Sequence, residues 1–292
     1  MGRSLPPPGP VETAILAELH PVFSTRRFLQ GAESLRILEG GSGPPLVLLH
    51  GRGSAAIGWF PLLRALARNR RVLAVDLPGF GQSSAPPFRG EGFEAGAAYF
   101  TDPIEAWMRA ERLDGAAVVG HSLGGLVTVE LALRRRVAIG KIALIAPMGV
   151  GAAMTLGSRL FFRAGPERLA RALGKGLFGA LVPSPSTADP TRLAALFYEL
   201  SAVAGGRPEA SAAFDALHPV LGPVPNRLSR LSEIHVPALV IWGNHDEVFP
   251  APLGIAAAAA LPRSELHIEE LGHAPHTEAP DRVLPMISAF LG

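Results

Sequence analysis

Short, continuous apolar runs, each closed by a polar or glycine-rich loop, recur along most of this chain of 292 residues. Leu46–Leu49 ends in His50-Gly51, Val72–Val75 in Asp76-Leu77-Pro78-Gly79, and Ala116–Val119 in Gly120-His121-Ser122. Ile142–Ile145 ends in Ala146-Pro147, Ala238–Trp242 in Gly243-Asn244-His245-Asp246, and Leu266–Ile268 runs on to Gly272-His273. Apolar runs without alternation predict strands covered on both faces, as in parallel sheets. Helical patterns fall between them at Trp59–Arg68, Phe93–Arg112, Leu123–Arg135, Pro252–Ala260 and Asp281–Phe290. This alternation predicts an α/β chain with a mostly parallel central sheet and helices on both faces. In such sheets the loops at the strand carboxyl ends build the site, and the polar segments above lie there. Val22–Leu29 and Ser34–Leu38 flank Gln30-Gly31-Ala32-Glu33 and read as a leading hairpin.

One interval breaks the rhythm. About ninety residues separate Ile145 from Ala238, far more than a simple crossover needs. Residues 150–231 therefore read as a helical cap inserted between a first core part, 1–149, and a second, 232–292.

Composition narrows the chemistry. Cysteine is absent, which removes disulfide frameworks, thiol nucleophiles and Cys-based metal sites. Lys and Arg total 27 against 25 Asp and Glu, and only 3 Trp and 2 Tyr offer stacking surface, so no nucleic-acid partner is expected. Met1–Pro10 is proline-rich, and Val11–Leu19 is interrupted by Glu12 and Glu18, which is not a secretory h-region. Ile142–Met154 is too short to span a bilayer. The expectation is a soluble, cytoplasmic protein.

Gly120-His121-Ser122-Leu123-Gly124 fits G-x-S-x-G between a strand and a helix. A strand turning sharply into a helix strains the backbone at Ser122 and presents its hydroxyl at the sheet edge. A serine hydroxyl needs a base, and the base an orienting acid. Of the later acids Asp189, Asp215, Asp246 and Asp281, Asp246 directly follows an apolar strand. Of the later histidines, His273 sits in a glycine-containing loop just after the last strand, with His276 its rival. Ser122, Asp246 and His273 thus satisfy order and placement as catalytic residues. The oxyanion hole is expected from the N–H groups of Leu123 and Arg52, with Gly53 the rival donor in His50-Gly51-Arg52-Gly53. The Arg52 side chain either faces solvent or binds an acidic group. Asp76 precedes Ser122, out of order for a triad, and is expected to tie its loop. His121 is expected to make local contacts. His273-x-x-His276 with Glu278 lacks the helical H-E-x-x-H of a zinc site, so neither metal nor organic cofactor is expected.

The segments His50–Gly53, Asp76–Ser83, Gly120–Gly125, Gly243–Asp246 and Gly272–Pro275, with Glu278 and Pro280, resemble the α/β-hydrolase family. The resemblance covers nearly all of the chain outside the cap. It implies Ser122 as nucleophile, Asp246 as acid and His273 as base. Dehalogenases of that fold carry Asp at the elbow, which Ser122 argues against. A finer similarity, in Gly51–Trp59, Phe80–Ser84, Phe100–Trp107 and Ala146–Val150, is to the lipid-acting abhydrolase 4 and 5 branch. Its H-x4-D pattern reads here as His273 to Glu278, with Glu in place of Asp. Bacterial esterases and perhydrolases share much of the same set.

The reading is a serine hydrolase of carboxylic esters, small or acyl-lipid. Alternatives on the same site are C–C or amide hydrolysis, perhydrolysis, acyl transfer, or a silent lipid-binding regulator. Arg159, Arg163, Arg168, Arg171 and Lys175 make the cap basic, which admits membrane contact through it.

Overall fold

The computed structural model describes residues 7–152, 154–165, 168–170, 172–174, 189–202, 207–219 and 224–292. Helix α1 (Pro10–Leu19) leads into β1 (Phe23–Gln30), β2 (Glu33–Gly40) and β3 (Pro45–Leu49). A 3₁₀ turn over Ala56–Trp59 opens α2 (Phe60–Leu66), followed by β4 (Arg71–Val75), α3 (Gly92–Ala110), β5 (Ala117–His121), α4 (Leu123–Arg134) and β6 (Lys141–Ile145). The long interval then carries α5 (Leu156–Ala164), α6 (Pro190–Ala202) and α7 (Pro208–Leu217). The chain closes with β7 (Ala238–Gly243), α8 (Pro252–Ala260), β8 (Ser264–Glu269), α9 (Pro275–Glu278) and α10 (Pro280–Leu291).

The strands form an eight-stranded sheet in the order β1-β2-β4-β3-β5-β6-β7-β8. β1, β2 and β4 pair antiparallel, and every pairing from β4 through β8 is parallel. The hairpin is tighter than expected. Gln30 pairs with Glu33, leaving Gly31-Ala32 as a two-residue loop, and Gly31 takes the positive φ that such loops demand.

The unbroken apolar runs reflect burial on both faces. Val47 and Leu49 of β3 point into one core with Val118, Ile142, Leu144 and Val240. Leu46 and Leu48 point into a second core with Val119, Ala143, Ile145 and Ile241. Each fully buried aliphatic side chain contributes about 1.5–3 kcal/mol, so both layers of helices are held by the strands themselves. From β3 the chain moves outward to β4, then returns to β5 on the other side of β3. That reversal opens a crevice beyond the carboxyl ends of β3 and β5.

Helix α1 was not expected. Its Glu12 had read as an interruption, yet Glu12 is buried and pairs with buried Arg36 of β2 at 2.6 Å. Arg36 also reaches Asp76 at 3.2 Å. Asp76 does tie its loop: Oδ1 accepts from the Ala56 N–H at 2.7 Å and Oδ2 from the Gln82 N–H at 2.8 Å. The start of α1 is capped from far away. Glu199 of α6 accepts from the N–H groups of Val11 and Glu12, both at 2.9 Å. A carboxylate at a helix N-terminus satisfies orphan donors and meets the positive end of the helix dipole. Arg192 of α6 bonds Glu18 of α1 at 2.7 and 2.9 Å, so α1 joins the inserted segment to the sheet.

Candidate active site

The crevice at the sheet reversal is lined from β5 and β3. Ser122 links β5 to α4 with φ +51° and ψ −112°. For a non-glycine residue this conformation costs about 1–3 kcal/mol, held in place by its surroundings. Three backbone bonds fix it: the Ser122 N–H donates to Ile145 O at 3.0 Å, and Ser122 O accepts from Leu126 and Met148 at 3.1 and 2.9 Å. The glycine at 124 is required by close approach, because a Cβ there would overlap the Leu49 carbonyl. Its N–H instead donates to His50 O at 3.1 Å, which binds the elbow to the loop after β3.

The structure brings together Ser122, His273 and Asp246. His273 Nε2 lies 3.0 Å from Ser122 Oγ. His273 Nδ1 lies 2.8 Å from Asp246 Oδ2. A carboxylate only accepts, so Nδ1 carries the proton and Nε2 is left to accept from the Ser122 hydroxyl. Asp246 Oδ1 in turn accepts from the N–H groups of Val248 and Phe249 at 2.8 and 2.9 Å, which fixes the carboxylate. Glu278 holds the His273 loop from both sides, accepting from Gly272 N–H at 2.6 Å and Ala274 N–H at 2.8 Å. The residue that resembled half of an H-x4-D pattern thus positions the histidine loop through its backbone.

The rival histidines have other partners. His276, in α9, is buried against Trp59 with ring centroids 4.4 Å apart and against His121 at 4.5 Å. Burial pulls its pKa from the ordinary 6.5 down to about 3, with the His273 ring adding to the effect. His121 is pulled well down by burial as well, and its Nε2–H donates to the His273 carbonyl at 3.0 Å. His50 is kept neutral by burial. Its Nε2 accepts from the Leu77 N–H at 2.9 Å while Nδ1–H donates to Gly51 O at 2.7 Å. These imidazoles pack around the Ser122–His273 pair. His245 lies outside this group, exposed and 2.8 Å from Glu270.

A pH dependence follows. An imidazole that stays neutral when folded takes up its proton only in the unfolded chain, so its contribution is present above 6.5 and is lost as pH falls toward the folded value. For His276 that interval runs from 6.5 to about 3. We expect the urea midpoint to fall between pH 7.5 and pH 4.5, and to fall less in His276→Phe, which keeps the ring against Trp59. An equal fall in both proteins would contradict this assignment.

Leu123 opens α4, so its N–H has no intrahelical acceptor and faces the crevice end of the helix. Arg52 follows Gly51, where an added Cβ would sit 3.2 Å from Ser122 Cβ. The Arg52 side chain does not face solvent. It is 3% exposed, 3.9 Å from Asp215 of α7, with its guanidinium 4.3 Å from the Phe214 ring centroid. The sequence left an acidic partner open for Arg52 but did not single out Asp215, which lies in the inserted segment.

Known proteins resemble this chain over most of its length. The model of the alpha/beta hydrolase family matches residues 46–285. The chain is 30% identical over 285 residues to a 2-hydroxy-6-oxononadienedioate/2-hydroxy-6-oxononatrienedioate hydrolase of Paraburkholderia phymatum, covering 90% of this chain and 93% of that one. It is 36% identical over 108 residues to a probable 1-acylglycerol-3-phosphate O-acyltransferase of Oryza sativa, a match that spans only 26% of that protein. The crystal structure of the esterase RhEst1 from a Rhodococcus species superposes with a TM-score of 0.72 at 25% identity, over 92% of this chain and 98% of that one. With a family match that runs from β3 into the last helix and takes in the elbow, the Asp246 loop and the His273 loop, the chain belongs to the alpha/beta hydrolase family.

Proposed function

We propose that the protein is a serine hydrolase that cleaves carboxylic esters through an acyl-enzyme on Ser122. The observation that carries this reading is the unbroken line from Ser122 Oγ through His273 to Asp246, at 3.0 and 2.8 Å, on a strained elbow. Likeness to an esterase structure over nearly the whole chain supports it.

In this reading Ser122 attacks the ester carbonyl as His273 Nε2 takes its proton, and Asp246 stabilises the imidazolium. The N–H groups of Leu123 and Arg52 hold the oxyanion, with the N-terminus of α4 adding its dipole. His273 returns the proton to the leaving alcohol, then activates water against the acyl-enzyme. Residues 150–231 act as the cap that shapes the substrate pocket. The partial match to an acylglycerol-phosphate acyltransferase favours an acyl-lipid ester as a second reading of the substrate.

Hydrolysis of p-nitrophenyl esters from acetyl to palmitoyl tests the reading. We expect saturable turnover with one chain-length optimum. A short optimum marks a small-ester pocket and a long one an acyl-lipid pocket. Absence of turnover across the whole series would overturn ester hydrolysis.

A further inference from the structure

One buried imidazole meets the reacting pair through the backbone. His121 closes β5 immediately before Ser122, and its position is fixed by pairing with Ile145 of β6. Its ring is buried and packed from several sides. A Cβ on Gly51 would come 2.7 Å from His121 Nδ1, so the loop after β3 lies directly against the ring. The His276 ring stands 4.5 Å away, backed in turn by Trp59, and the His273 ring 5.0 Å away. His121 Nε2–H donates to the His273 carbonyl at 3.0 Å. That carbonyl shares a peptide plane with the Ala274 N–H, which donates to Glu278 at 2.8 Å. The plane is rigid, so bonds at both of its ends stop it from turning. Rotation about the Cα–C bond of His273 is thereby blocked, and the direction of the His273 side chain is set with it. The catalytic steps above need His273 Nε2 at 3.0 Å from Ser122 Oγ, and none of them uses His121.

We infer that His121 is a positioning residue, whose bond to the His273 carbonyl sets the distance from the base to the nucleophile. Donor and nucleophile are consecutive residues at one strand end, so the restraint on the base is anchored to the strand that carries Ser122. A carbonyl only accepts, so the bond requires the proton on Nε2. Burial keeps the His121 ring neutral, and the neighbouring His276 and His273 rings act in the same direction. The donor is therefore unchanged when His273 becomes an imidazolium. A base displaced by about 1 Å costs on the order of 10²-fold in rate. The inference rests on the serine-hydrolase reading, in which His273 is the base.

Three substitutions separate reach from bulk. His121→Gln keeps an N–H donor long enough to meet the carbonyl. His121→Asn carries the same amide one methylene short, and His121→Leu fills the space without a donor. Rates are taken per active site, counted by total fluorophosphonate incorporation, so unfolded protein does not enter them. On the p-nitrophenyl ester that wild type turns over best, we expect kcat to fall about tenfold to hundredfold in His121→Leu and His121→Asn. KM should stay within about threefold, and His121→Gln should keep kcat within about threefold of wild type. The fall should lie on the alkaline plateau of the pH profile, where His273 is already deprotonated. Equal kcat in all four proteins, or a Gln variant as slow as the Asn one, would overturn the positioning role. So would a profile displaced along the pH axis with an unchanged plateau, which marks an electrostatic role instead. Thermal melts check folding. If His121→Leu does not fold, the Gln and Asn variants decide, because both bury the same amide. The rate of fluorophosphonate labelling at Ser122 needs no ester and should fall in the same two variants. Ester turnover and labelling rates that ignore the reach of residue 121 would overturn the positioning role alone. Labelling rates in the expected order without turnover of any ester would instead overturn the ester reading.

Discussion

Ser122→Ala lowers kcat for ester hydrolysis by about 10⁴- to 10⁶-fold and leaves KM within a few fold of wild type. The size of the effect follows from the arrangement. Ser122 Oγ is the atom within reach of His273 Nε2, at 3.0 Å, and the hydroxyl is useless as a nucleophile without that base. His273→Ala should therefore cost about as much as Ser122→Ala. The double variant should be no slower than either single one, because residues that act as one unit do not contribute additively. What remains comes from the oxyanion donors and binding. Steady-state kinetics on the three proteins reads this directly. A double variant slower than each single one by another factor of 10³ or more would mean that serine and histidine act independently.

Arg36→Met lowers the unfolding free energy by about 3–5 kcal/mol, as expected when one member of a buried ion cluster is removed. The Arg36 side chain is fully buried between Glu12 at 2.6 Å and Asp76 at 3.2 Å. Burial raises the Glu12 carboxyl above its ordinary range, and Arg36 is the group that opposes this. Without the guanidinium, the buried Glu12 carboxyl is left beside two other carboxylates, Asp76 and Glu199. Asp76 keeps its bonds from Ala56 and Gln82 but loses the buried guanidinium beside it. The damage should spread to α6, because Glu199 grips the N-terminus of α1. Replacing Glu12 by Leu in the same protein should restore part of the loss, since an apolar pair avoids the stranded charge. Urea unfolding of both proteins measures this. A loss below about 1 kcal/mol in Arg36→Met would show that the cluster does not hold α1 to the sheet.

Arg36 also shows where the sequence stops being legible. The parallel strands could be read because burial on both faces leaves continuous apolar runs such as Leu46–Leu49 and Ile142–Ile145. Ser122, Asp246 and His273 could be picked out because each follows such a run, and strand ends are placed by the sheet alone. Arg36 and Glu12 carry no such mark. A charged residue in an alternating strand or short helix looks like a solvated face until its partner, 24 residues away, is brought beside it. The same holds for Glu199 and α1, and for Arg52 with Asp215, whose pairings depend on how the inserted segment lies over the sheet. Strand placement favoured His273 but left His276 a rival, and geometry separates the two: three positions apart, one ring turns to Ser122 and the other to Trp59.

Covalent labelling by a fluorophosphonate tests the acyl-enzyme account most directly. The reagent reports an activated serine whatever the natural ester is. The account predicts one adduct per chain by intact mass, located at Ser122 by peptide mapping and abolished in Ser122→Ala and His273→Ala. An unlabelled wild-type protein, or an adduct that persists at another residue when Ser122 is replaced, would contradict it.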